Sequence, residues 1–133
     1  MRGELRRFGG REIKHTGDGF LVLFDGPARA IRCASSILEA APAELELGIR
    51  AGIHTGEVDL VGDDVHGMAV HIATRVASRA GEGELLVSGT VRELVIGSDI
   101  PLEGMGSHVL KGVPGEWKLF RVDTRSHGRL VPA

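Results

Sequence analysis

Two short β-rich runs near the start of the chain, Arg11 to Thr16 and Phe20 to Phe24, predict strands. Thr16-Gly17-Asp18-Gly19 joins them. An Asp-Gly step between two such runs predicts a hairpin, because glycine accepts the positive φ that a tight turn demands. Farther on, Ile31, Ala34, Leu38 and Ala41 recur at helical spacing with Arg29, Arg32, Ser36 and Glu39 on the opposite side. Asp25 as N-cap and Pro27 in the first turn open this amphipathic helix, which ends near Pro42. Leu47, Ile49, Ala51 and Ile53 then alternate with Gly48, Arg50, Gly52 and His54, predicting a strand that runs out around Glu57.

After a Gly62-Asp63-Asp64 loop, Ala69, Ile72, Ala73, Val76 and Ala80 return to helical spacing and leave His71, Arg75 and Ser78 on another stripe. Gly81 and Gly83 close that helix. A strand from Glu84 to Val87, a helix capped by Ser88 or Thr90, and two strands near Ser107 to Leu110 and Trp117 to Val122 complete the body. Glu4 to Phe8 is too short to assign, and residues 124–133 read as a loose tail after a single domain over residues 1–123. The order is α+β, with helices covering one face of a largely antiparallel sheet. It resembles a ferredoxin-like core without its first strand, which leaves an edge or groove in mid-sheet for a second copy or an upstream segment to fill.

Composition narrows the partners. The 133 residues carry 16 Lys plus Arg against 18 Asp plus Glu, so no basic field is expected to hold a nucleic-acid backbone. Phe20, Val22 and Phe24 share a strand face that could stack on RNA bases, but with this charge balance they read as core. Cys33 is the one cysteine and cannot form an internal disulfide, and no stretch is apolar for long enough to span a bilayer. A reduced, cytoplasmic location is the expectation.

Three groups of residues carry candidate chemistry. Asp18, held out by a tight turn, suits a hard divalent cation such as Mg²⁺, although Asp also favours turns for its own sake. His71 and Arg75 are four apart and so share a helix face, where they can meet one anion together or simply be solvated. Asp63 and Asp64 fit a metal pair, a reader of a base amino group, or a solvated loop. His54 and His66 are further potential metal ligands, but no zinc spacing, P-loop or Rossmann glycine pattern is present.

In order along the chain stand Ile13-Lys14-x-x-Gly17-Asp18, Arg50-x-Gly52-Ile53-His54-x-Gly56, Asp64-Val65-x-Gly67-x-x-Val70-x-x-Ala73-x-Arg75 and Leu110-Lys111-Gly112. Together these segments resemble successive blocks of the class III adenylyl/guanylyl cyclase catalytic domain. The resemblance implies head-to-tail homodimers with active sites at the interface, two metal ions (Mg²⁺ or Mn²⁺), and ATP as substrate. It assigns Asp18 to metal, Lys14 and Asp64 to adenine, and Arg75 to the transition state as the ribose 3′ oxygen attacks the α-phosphate.

His71 stands where the typical member has a ribose-orienting asparagine, which implies altered or reduced activity. Lys111 does not align clearly with the family's late triphosphate lysine and receives no role. The family's first strand carries the other metal aspartate, and this chain starts after it, so little or no turnover is expected of the chain as it stands. The competing expectation is a nucleotide-binding or dimerisation module without chemistry.

Overall fold

The computed structural model describes residues 2–16, 19–40 and 49–123. The predicted tail and Asp18 lie outside the described residues, as do Gly17 and the stretch 41–48. The elements run α1 (Arg2–Arg7), β1 (Arg11–Thr16), β2 (Gly19–Leu23), α2 (Pro27–Ala40), β3 (Ala51–Ile53), β4 (Asp59–Val61), β5 (Asp64–His66), α3 (Met68–Ser78), β6 (Leu85–Ser88), α4 (Gly89–Val95), β7 (Leu102–Val109) and β8 (Glu116–Val122).

Strands β3-β6-β8-β7 form one sheet in that order. The β3–β6 pair is parallel, and the other two pairs are antiparallel. The β1–β2 hairpin and the β4–β5 hairpin are separate two-stranded sheets, so β3 is an edge of the larger sheet among the described residues.

Strand β6 shows why the sequence folds around this sheet. All four of its residues are buried. Because successive side chains of a strand point to opposite faces, Leu86 meets Ile72 and Val76 of α3 on one side. Leu85 and Val87 meet Ile31 of α2 and Val91 and Val95 of α4 on the other. Helices therefore cover both faces of β6, where the sequence pattern had suggested one. A near-continuous apolar run such as Leu-Leu-Val is the mark of a strand buried on both faces.

The α3 stripe and the β3 backbone approach unusually closely. A Cβ built on Gly52 would lie 2.2 Å from the Ala77 nitrogen and 2.5 Å from its Cα, so only glycine lets strand and helix meet here. Ser88 caps α4 as its N-cap, its hydroxyl accepting from the Val91 amide. Helix α1 packs on α2 and β1, with Leu5 buried. The Glu4 carboxylate accepts from the Ser36 hydroxyl, and the Glu4 carbonyl lies 3.6 Å from the Cys33 thiol. Burial, then the nearby Glu4, pushes that thiol's pKa up, which suits a packing role rather than a reactive one. Among the described residues, no helix is long and apolar enough to cross a membrane.

Candidate functional site

One face of α3 and the turn after β7 are tied together. His71, Arg75 and Arg79 follow one another at four-residue spacing, which keeps them on neighbouring positions of one helix stripe. His71 Nε2 lies 3.0 Å from the Lys111 carbonyl oxygen, and Arg79 Nη2 donates to the Val109 carbonyl at 2.8 Å. These contacts fall on either side of Leu110, which is buried in the cluster under α3. The turn is thus gripped at two points and plugged at a third. Gly112 follows with φ +79°, and a Cβ there would lie 2.8 Å from His71 Nε2, so the grip requires glycine. Since a carbonyl only accepts, His71 Nε2 carries the proton in this arrangement, which leaves Nδ1 to meet a ligand.

Beside this grip, a cavity of about 270 Å³ is lined by Arg75, Ser78, Arg79, Leu110 and Lys111. Three of these five are permanently or ordinarily cationic, and none is a carboxylate. The Arg75 Nε is shielded from solvent and has no hydrogen-bond partner among the described residues. Leaving such a donor unmade costs about 1–3 kcal/mol. The cavity sits by the C-terminal turn of α3, the negative end of the helix dipole. Attraction for an anion therefore comes from the side chains, not from the helix end.

The other predicted residues fall on the two hairpins. Asp64 opens β5, its Oδ1 accepting from the Val65 amide at 2.8 Å and its Oδ2 lying 3.5 Å from His66 Nε2. Lys14 sits in β1, where its Cα pairs with Leu21 just past a register shift. Strands β1 and β5 are in contact, so the strands of Lys14 and Asp64 are neighbours in one copy of the chain. Asp18 lies outside the described residues. The structure thus gathers His71 and Arg75 on one helix face and brings the strands of Lys14 and Asp64 side by side.

His54 takes a place in the fold. Its Nδ1 lies 2.7 Å from the Ser88 hydroxyl, and its ring meets Trp117 edge-on at 5.5 Å. Half-burial pushes its pKa below the ordinary 6.5. Among the described residues, no three His, Cys, Asp or Glu side chains gather where they could hold a metal ion.

Sequence reasoning named His71 and Arg75 but missed Arg79 and gave Lys111 no role. The signal for Arg79 was present: the four-residue step from His71 to Arg75 repeats once more. Lys111 joins the group only because the turn folds back onto α3.

Comparison with known proteins gives one consistent picture. No family model matches the chain. It is 30% identical over 131 residues, 92% of its length, to a putative adenylate cyclase 3 of Rhizobium meliloti. It spans only 22% of that protein and 32–39% of the mycobacterial relatives it also matches. Among solved structures, an adenylate/guanylate cyclase/hydrolase from Silicibacter pomeroyi superposes with TM-score 0.82 at 27% identity, covering 91% of this chain and 75% of the other. A Trypanosoma brucei adenylate cyclase, at 18% identity and TM-score 0.78 over 92% of this chain and 75% of its own, shares the fold.

Proposed function

This chain belongs to the class III adenylate/guanylate cyclase domain family, and we propose that it binds ATP and converts it slowly to cyclic AMP and pyrophosphate between two copies of itself. The observation that carries this reading is Arg75, which lines the cationic cavity with its Nε unsatisfied. In the reaction the ribose 3′ oxygen bonds to the α-phosphorus, its proton leaves to base, and the bond to the β-phosphate oxygen breaks to release pyrophosphate. Negative charge grows on the phosphoryl oxygens as this happens. A guanidinium that lines the cavity, with no partner on its Nε, stabilises that charge through its permanent positive charge and its planar fork of donors.

His71 contributes through Nδ1. With Nε2 donating to Lys111, Nδ1 is an acceptor and can orient a ribose hydroxyl. An asparagine amide, as the family resemblance has at this position, offers donors and an acceptor that are not committed to the turn. The substitution is the reason we propose slow turnover. Lys14 and Asp64 read adenine, an ammonium donating to a ring nitrogen and a carboxylate accepting from the exocyclic amino group. Asp18 is assigned to a divalent cation, Mg²⁺ or Mn²⁺, whose charge would neutralise the phosphates when bound. Among the described residues, no group of three His, Cys, Asp or Glu side chains stands beside it as a further ligand set.

The commitment of His71 Nε2 to the Lys111 carbonyl also favours a second reading, a module that binds nucleotide without converting it. Both readings require ATP to be preferred over GTP. Equilibrium binding of the two nucleotides to the chain and to Asp64→Asn tests this. ATP is expected to bind at least about tenfold more tightly, and the variant to lose most of that preference. Equal affinities in the unsubstituted chain would refute the adenine assignment.

A further inference from the structure

We propose that His66 is a positioning residue for base recognition: it holds the Asp64 carboxylate in the orientation that accepts an exocyclic amino group, and so helps set how strongly ATP is preferred over GTP. This rests on the assignment of Asp64 to adenine made above.

Asp64 and His66 are two apart in β5, so the pleat of the strand sends both side chains to one face of the β4–β5 hairpin. Val65 between them points the other way and is buried, which pins that register. Across the hairpin, His66 stands directly opposite Asp59, and residues paired in this way share a face. His66 is thus flanked by one aspartate along its own strand and another across it. An ionised carboxylate only accepts, so the ring nitrogen that faces Asp64 carries a hydrogen.

An aspartate carboxylate can turn about its last bond, whereas reading an amino group requires an oxygen aimed in one direction. Here the two oxygens have different partners. Oδ1 accepts from the Val65 amide at 2.8 Å, and Oδ2 lies 3.5 Å from His66 Nε2. With the amide alone the group could pivot about that one bond; the imidazole on the second oxygen sets its plane. These two contacts do not exhaust the acceptor capacity of a carboxylate, which is about four positions. The side chains of His66 and Asp64 are 59% and 40% exposed, so the pair is open to a ligand and its influence is that of a surface pair.

Equilibrium binding of ATP and GTP to the unsubstituted chain, His66→Phe, His66→Gln, Asp64→Asn and the double variant His66→Phe with Asp64→Asn tests the proposal. Phenylalanine keeps a flat ring on the strand and removes the donor, while glutamine restores an N–H. The ratio of ATP to GTP affinity is expected to fall about two- to fivefold in His66→Phe and to recover in His66→Gln. If His66 acts through Asp64, the double variant shows no further fall beyond Asp64→Asn. A merely structural role would weaken both nucleotides alike and leave the ratio where it was.

An unchanged ratio in His66→Phe, beside one that collapses in Asp64→Asn, overturns the proposal and leaves the adenine reading standing. A fall in His66→Phe that persists at full size in the double variant does the same. A ratio that Asp64→Asn does not move refutes the adenine reading itself, and the role of His66 with it.

Discussion

His71 Nε2 lies 3.0 Å from the backbone carbonyl of Lys111, so the side chain to which the proposed function gives the ribose also clamps the turn that carries Lys111. In that proposal one residue serves fold and ligand, and it cannot optimise both. Replacing it with asparagine exchanges the clamp for an uncommitted amide. We expect His71→Asn to raise the rate of cyclic AMP formation several-fold and to lower the melting temperature by a few degrees, as loss of about 1 kcal/mol implies for a domain of this size. Rate assays and thermal unfolding on the same preparation check both halves; a slower, equally stable variant would show that the clamp does not limit turnover.

Gly52 lies where β3 touches α3, and its missing side chain is what brings the α3 stripe against the sheet. A methyl group there meets the Ala77 backbone at 2.2 Å, which cannot yield by a rotamer change. Gly52→Ala is expected to destabilise the fold by about 1–3 kcal/mol, or more if the helix cannot shift. Denaturant unfolding measures this, and an unchanged midpoint would mean the contact is looser than described.

The elements that were legible in the sequence are those whose pattern is long. Helices α2 and α3 follow the apolar spacing at Ile31 and Leu38 and at Ile72 and Val76. β1 coincides with the predicted run, and Ser88 caps α4 as expected. Short elements stabilised by tertiary contacts were not legible. Helix α1 has six residues and depends on Leu5 packing and on Glu4 contacts with Cys33 and Ser36. The sequence pattern shows only a Gly62-Asp63-Asp64 loop where the β4–β5 hairpin stands, because Asp59–Val61 is exposed throughout and lacks an inward face. Its clue was Gly62-Asp63, a two-residue turn with φ +63° at the glycine. β7 begins at Leu102, earlier than predicted, because most of it is exposed and leaves no apolar periodicity to read. Of the site, Arg75 and His71 follow from helix spacing, whereas Lys111 becomes part of it only through a turn that brings residues 40 apart into contact.

His54 links β3, the cap of α4 and Trp117, and burial lowers its pKa below 6.5. The unfolded chain therefore takes up a proton at a higher pH than the folded one. Stability is full above about 6.5 and declines as pH falls from there toward the lowered folded value. Melting temperatures recorded between about pH 8 and pH 5 are expected to fall in the acid half of that range. His54→Gln, which keeps a polar contact to Ser88, is expected to flatten the fall. The same slope in both proteins would assign the effect to other groups.

The central claim is that Arg75 acts on the phosphoryl group of ATP. Its most direct test is cyclic AMP formation from ATP with excess Mn²⁺, comparing the unsubstituted chain with Arg75→Ala. We predict a slow but measurable rate that drops by about 10²- to 10³-fold in the variant, with ATP still bound. Equal rates in the two proteins would contradict the role of Arg75, and ATP bound by both with no cyclic AMP from either would leave a nucleotide-binding module in place of a cyclase.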